Sequence, residues 1–160
     1  MDCFSTRTDV GENMKYQSTK TYGNDRGLSC CFRQWRADSH CNLIHGYSLG
    51  FKFIFEADVL DDRNWVYDFG NCKWIKEFLE ENFDHTLVIS SDDPQLGIFK
   101  ELADRKLANL KVIHGAGCEK FSEFVYQYVS PVVMKQTEGR VKLKSVEVFE
   151  HGANSAIYLG

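Results

Sequence analysis

A short segment around Cys41 combines one thiol with two imidazoles, those of His40 and His45. A thiolate that acts as a base or nucleophile needs a partner that favours its ionised form, and imidazole is the usual partner. Thiolate and imidazole are also the ligands that zinc prefers. The segment therefore predicts either catalysis or metal binding, although Tyr47 stands where a second imidazole would complete a His-x-His pair with His45.

A carboxylate and an imidazole also stand side by side at Asp84 and His85. A carboxylate can orient a neighbouring imidazole and raise its basicity, which suits acid–base chemistry. The alternative is a turn between a helix and a strand, in which Asp84 caps the helix and His85 is exposed.

The composition favours a globular protein. The 160 residues are 43% hydrophobic and 14% aromatic, and the formal charge of −4 comes from 19 basic and 23 acidic residues. No basic block supports nucleic-acid binding, and no apolar run approaches the ~20 residues of a membrane span. Without a secretion signal, the six cysteines are expected to be reduced thiols in the cytoplasm.

The apolar pattern predicts where the main elements lie. Residues 1–17 contain few apolar side chains and are expected to be poorly ordered, with a single domain over 18–160. Strands are predicted at 28–35, 47–57, 108–113 and 140–149, the last with a possible bulge near Ser145 and a continuation at 155–159. A turn at 61–64 and a short strand at 65–67 would form a hairpin with the strand at 47–57.

Two main helices are predicted, at 70–81 after an Asp68 N-cap and at 119–134, with a short third helix after Pro94. Together these elements indicate an α+β fold, with an antiparallel sheet that carries the two main helices on one face. The opposite face needs cover, which a second copy of the chain could provide.

Four motifs over residues 18–159 make the chain resemble the 6-pyruvoyl-tetrahydropterin synthase and 6-carboxytetrahydropterin synthase family. They are Cys41-xxx-His45-Gly46, Trp65-Val66-Tyr67-Asp68-Phe69, Phe83-Asp84-His85, and Val146-Glu147-Val148-Phe149-Glu150 followed by Ala156-Ile157-Tyr158. The resemblance implies the tunnelling fold, in which subunits join their sheets into a barrel. It also implies a homo-oligomer, a trimer or a hexamer of two trimers.

The resemblance assigns roles to individual residues. Cys41 would be the general base at the pterin side chain, with Asp84 and His85 as the proton relay. Glu150 would hold the pterin ring, because a carboxylate can accept two parallel hydrogen bonds from the ring's N–H edge; the alternative is an exposed glutamate at the end of a strand. Glu119 would be a second substrate-binding glutamate, or would simply favour the positive N-terminus of its helix.

The family's zinc site is where this sequence departs. The resemblance implies three histidine ligands, but two of the positions are Phe32 and Tyr47, and only His45 matches. One interpretation is a rebuilt zinc site from His40, His45 and a thiol such as Cys30 or Cys41. The other is loss of the metal, with Phe32 and Tyr47 lining a drier pocket.

The leading hypothesis is a lyase that eliminates phosphate from a reduced pterin triphosphate such as dihydroneopterin triphosphate, in queuosine or biopterin synthesis. A second hypothesis is a metal-free, non-catalytic oligomer of the same fold that binds a pterin or purine. A third is a different reaction on the same scaffold, such as aldolase-type cleavage of the side chain. The implied partners are a small pterin and further copies of the chain, with no nucleic acid and no membrane.

Overall fold

The computed structural model describes residues 15–160. Its strands are β1 (Tyr16–Tyr22), β2 (Leu28–Phe32), β3 (His45–Ala57), β4 (Thr86–Ser90), β5 (Leu110–Ile113), β6 (Lys142–His151) and β7 (Asn154–Leu159). Its α-helices are α1 (Lys73–Phe83), α2 (Leu96–Asp104) and α3 (Cys118–Gln136). The loose segment expected at 1–17 lies mostly outside the described residues, but β1 begins at Tyr16, two residues before the expected start of the domain.

The long strand β3 is the centre of the sheet. Its Phe51, Phe53 and Phe55 are fully buried, as their alternation predicts. One edge of β3 pairs with β6, and the other edge pairs with β2 along its first half and with β1 along its second half. Strands β2 and β6, which carry several candidate site residues, therefore lie on either side of β3.

The α+β class is confirmed, and the sheet is mostly antiparallel. Its strand order is β5-β4-β2-β3-β6-β7, with β1 also paired to β3. One end of the sheet is parallel, because β4, a strand that was not predicted, pairs in parallel with both β2 and β5. Helix α2 connects β4 to β5, and such a crossover is what joins parallel neighbours.

The two main helices pack on one face of the sheet, as predicted. Phe83 of α1 contacts Phe121 of α3 with ring centroids 5.4 Å apart, and both rings belong to the main core. Helix α2 lies on the opposite face, where its Phe99 packs with Leu87 and Ile89 of β4. Both faces of β4 are therefore covered, and all five of its residues are buried.

The β-bulge predicted near Ser145 is present. Ile54 pairs with Ser145 while the next residue, Phe55, pairs with Leu143, so Lys144 is the extra residue. The bulge lets side chains on both sides of it face the core.

The predicted strand at 65–67 is wrong. The backbone carbonyls of Trp65 and Val66 accept hydrogen bonds from the Arg140 guanidinium instead of from a neighbouring strand. Asp61 closes the preceding turn through its Oδ1, which accepts from the Trp65 N–H at 2.9 Å.

Candidate functional site

Three rings from β2 and β3 meet at the position of the expected metal centre. Phe32 pairs with His45 and Cys30 pairs with Tyr47, so these side chains point to the same face of the sheet. Ring centroids are 4.8 Å apart for Phe32–His45, 5.7 Å for His45–Tyr47 and 6.2 Å for Phe32–Tyr47. We call Phe32, His45 and Tyr47 the aromatic trio.

The His45 ring has a defined tautomer. Its Nδ1 lies 2.8 Å from the backbone oxygen of Leu43, two residues earlier. A carbonyl oxygen can only accept a hydrogen bond, so Nδ1 carries the proton and donates it. In the neutral ring the Nε2 atom is then an acceptor, with no hydrogen-bond partner among residues 15–160, and an acceptor nitrogen is what a ligand hydroxyl or a metal ion requires.

Cys41 lies in a short 3-10 helix, His40–Asn42, in the loop that joins β2 to β3. Ser39 caps this helix, and its Oγ accepts a hydrogen bond from the Cys41 N–H. The Cys41 carbonyl accepts from the Gln34 N–H at 2.9 Å, which ties the two sides of the loop together. The thiol is partly exposed, so a ligand could reach it.

A buried ion pair holds the loop that carries Cys41. The Arg33 guanidinium donates to both carboxylate oxygens of Asp93, at 2.7 and 3.1 Å. The same guanidinium also donates to the backbone and side-chain oxygens of Asn42, the residue after Cys41. Arg33 therefore positions the segment that carries the thiol.

Tyr47 and Cys118 both have a raised pKa, and Glu150 contributes to each shift. Burial is the main reason that the pKa of Tyr47 is raised, and Glu150, Cys41 and Cys118 raise it further. Burial likewise raises the pKa of Cys118 to about 12, with Glu150 and Glu119 acting in the same direction. The segments that carry Glu150 and Glu119 reach the aromatic trio, because the His151 ring lies 5.9 Å from that of Tyr47 and the Phe121 ring 5.0 Å from that of Phe32.

A second β-bulge orients Glu150. Phe149 pairs with Ser155 and His151 with Asn154, so Glu150 is the extra residue in the β6–β7 ladder. Bulges next to functional sites redirect side chains. The Asn24 amide secures the bulge, because its Nδ2 lies within hydrogen-bond distance of the backbone oxygens of Phe149 and Glu150.

Asp84 and His85 pair with each other directly after α1. The His85 Nδ1 donates to the Asp84 Oδ1 at 2.9 Å, and the same oxygen accepts from the Ser29 N–H. Asp84 is also the C-cap of α1, and the His85 side chain is 84% exposed. The pair thus combines the geometry of a relay with the structural role of a helix-to-strand turn.

One subunit does not bring this pair onto the thiol. His85 lines an open cleft with Cys31, Ile44, Gly46 and Tyr47, and Cys31 packs there against the core that includes Phe99 of α2. Cys41 does not line this cleft. Within residues 15–160, no hydrogen bond joins Cys41 to Asp84 or His85.

The residues present do not fit the implied zinc ion. His45 is the sole imidazole of the aromatic trio, and carbon-only Phe32 is fully buried. His40 is exposed on the neighbouring loop. Across residues 15–160, no group of three or more His, Cys, Asp or Glu side chains is arranged to hold a metal ion, so the rebuilt site expected from His40, His45 and a thiol is not formed.

Two residues near the site, Asn24 and His151, carry little or no functional signal in the sequence. Asn24 contacts strands far from it in the chain, and no motif marks it. The His151 ring lies 5.9 Å from that of Tyr47, and the only signal for it in the sequence is its place beside Glu150.

In the part of the chain that the structure covers, no helix is both long and apolar enough to span a membrane.

Comparison with known proteins identifies relatives of the whole fold. The family model for 6-pyruvoyl tetrahydropterin synthase matches residues 24–160. The 6-carboxy-5,6,7,8-tetrahydropterin synthase of Aquifex aeolicus is 26% identical over 160 residues, covering 95% of this chain and 93% of that protein. The enzyme of the same name from Rickettsia felis is 34% identical over 58 residues, which are 36% of this chain and 42% of that protein.

Solved structures show the same fold. An uncharacterized protein from Wolinella succinogenes has a TM-score of 0.79 at 19% identity, covering 92% of this chain and 99% of that one. A Plasmodium vivax 6-pyruvoyltetrahydropterin synthase, described as a catalytic residue mutant, has a TM-score of 0.63 at 12% identity, covering 91% and 97%. These likenesses confirm the predicted tunnelling fold of the subunit.

Proposed function

The chain belongs to the 6-pyruvoyl tetrahydropterin synthase family, and from this premise we propose that it is a tetrahydropterin synthase-like lyase. Its substrate would be a reduced pterin triphosphate such as dihydroneopterin triphosphate. The observation that carries the proposal is that three segments with family-motif residues meet at the aromatic trio. The Cys41 loop leads into β3, the His151 ring beside Glu150 lies 5.9 Å from that of Tyr47, and Phe121, two residues after Glu119, lies 5.0 Å from Phe32. Cys41, Glu119 and Glu150 are three of the five residues to which the family resemblance gives a catalytic or substrate-binding role.

Glu150 is the proposed anchor of the pterin ring. Its carboxylate can accept two parallel hydrogen bonds from the N–H edge of a 2-amino-4-oxo pyrimidine, and charge-assisted pairs of this kind are both strong and directional. The bulge at Glu150 and the Asn24 amide support this role because they fix the backbone from which the carboxylate extends. Glu119, in the first turn of α3, would contact the same ligand.

Cys41 is the proposed base. It would take a proton from a side-chain carbon or hydroxyl of the pterin, while the triphosphate leaves with the electrons of its carbon–oxygen bond. The Asp84–His85 pair would pass that proton onward. Because the pair lies apart from Cys41 in one subunit, we propose that a neighbouring copy supplies it, in a homo-oligomer of three or six chains.

Turnover of dihydroneopterin triphosphate, followed by chromatography of the pterin products and release of triphosphate, tests this proposal. Cys41→Ala should lower kcat by 10²-fold or more, roughly the contribution of a general base. Cys31→Ala is the matched control, because that thiol is also partly exposed but lies beside the α2 core; it should keep wild-type turnover.

Unchanged turnover in the Cys41→Ala protein would remove the proposed base. A wild-type protein that binds the pterin but releases no triphosphate would instead support the non-catalytic pterin-binding oligomer.

A further inference from the structure

The aromatic trio has the spacing of a three-imidazole metal centre without its ligands. Three imidazoles bound tetrahedrally to one zinc, with Zn–N distances of about 2.1 Å, place their ring centroids roughly 5 Å apart. The centroids of Phe32, His45 and Tyr47 are separated by 4.8, 5.7 and 6.2 Å. The backbone therefore brings three rings to about the spacing of such a centre, but two of these rings are not imidazoles.

The surroundings of Phe32 are unsuited to a metal ion. Phe32 is fully buried, and its ring packs edge-on against Phe121 of α3 with centroids 5.0 Å apart. A divalent ion at this place would lose its hydration without gaining enough donors, which is strongly unfavourable. The nearest thiols do not compensate, since no metal-binding group forms among residues 15–160.

We infer that the native protein works without zinc and that Tyr47 and His45 replace the metal as the groups that hold a ligand. In the neutral His45 ring Nε2 is an acceptor because Nδ1 donates to the Leu43 carbonyl, and the Tyr47 phenol is a donor. An acceptor beside a donor suits a hydroxylated side chain, whose O–H groups can donate to one and accept from the other. That the ligand is a hydroxylated pterin rests on the proposed function.

The first test measures metal rather than activity. Wild-type protein is incubated with excess Zn²⁺, desalted and analysed by mass spectrometry of its metal content, beside the double variant Phe32→His/Tyr47→His. The wild type should retain almost no zinc, whereas the double variant should retain about one ion per subunit. In the double variant, Co²⁺ should give the visible absorption of a tetrahedral site.

Two results would overturn the inference. One is stoichiometric zinc in the wild-type protein. The other is a double variant that folds, as judged by circular dichroism, but takes up no metal, because the trio would then not have the geometry of a metal centre. If the double variant does not fold, Tyr47→His against Tyr47→Phe provides the comparison, and only the imidazole should increase zinc affinity.

The second test asks whether a ligand is held by Tyr47 and His45 and not by a metal ion. The affinity for neopterin, measured by its fluorescence, should be unchanged by a strong chelator and should fall roughly 3- to 10-fold in Tyr47→Phe, the loss expected for one hydrogen bond. An affinity that collapses with chelator contradicts the inference. Because zinc content and neopterin binding do not require turnover, a failure of the proposed lyase reaction would leave both measurements interpretable.

Discussion

At the scale of single residues, the family resemblance names Glu150 as a candidate to hold the pterin ring, but the sequence does not show what fixes its backbone. The contact from Asn24 could not be predicted, because its partners are the backbone oxygens of Phe149 and Glu150 on β6 and of Ser48 on β3. Backbone oxygens leave no side-chain pattern in a sequence, so only the folded arrangement reveals this contact.

The role of Glu150 can be tested by substitution on one strand. Glu150→Gln should weaken pterin affinity by about 10-fold or more, because it removes the charge from a bidentate hydrogen-bonding pair. Glu147→Gln is the control, since Glu147 accepts a hydrogen bond from the Ser155 hydroxyl on the other face of β6. Fluorescence titration with a reduced pterin provides the measurement, and equal affinities of the two variants would refute the anchor.

At the scale of elements, alternation and helical periodicity predicted the parts of the fold with one buried face. Strand β3 and helices α1 and α3 all follow such patterns, and so does the bulge at Lys144. Strand β4 was not predicted, because both of its faces are buried and its residues do not alternate in polarity. Its parallel pairing depends on α2, whose crossover cannot be read from local pattern.

The loop that carries Cys41 is held by a contact between two elements, the end of β2 and the start of α2. Asp93, before α2, is fully buried and pairs with Arg33 at the end of β2, whose side chain is 16% exposed. Arg33→Met should lower the free energy of unfolding by about 3 kcal/mol, because it leaves a buried carboxylate unpaired. It should also reduce turnover, since Arg33 contacts Asn42.

A nearby ion pair supplies the control for this prediction. Arg36 pairs with Asp92 at 3.0 Å, but the two side chains are 74% and 46% exposed. Arg36→Met should therefore change the free energy of unfolding by less than about 1 kcal/mol. Urea denaturation followed by fluorescence compares the two variants. Equal decreases in the free energy of unfolding would contradict the claim that the buried Arg33–Asp93 pair contributes more than the exposed Arg36–Asp92 pair.

At the scale of the whole molecule, one subunit leaves part of its sheet uncovered. Ile157 and Leu159 of β7 are 56% and 70% exposed on the sheet face away from α1 and α3. Strands β1 and β7 also have an unpaired edge within the described residues, and such edges readily pair with other chains. Assembly with further copies would cover this face and could bring the Asp84–His85 pair of one copy to Cys41 of another.

Complementation between two inactive variants tests this shared site most directly. Cys41→Ala and His85→Ala proteins, each inactive alone, would be mixed, dissociated in mild denaturant and reassembled, and turnover of dihydroneopterin triphosphate measured. If one subunit supplies the thiol and its neighbour the imidazole, random assembly restores about a quarter of the sites, so activity should approach a quarter of the wild-type value. Mixed oligomers that form but stay inactive would contradict a site shared between subunits.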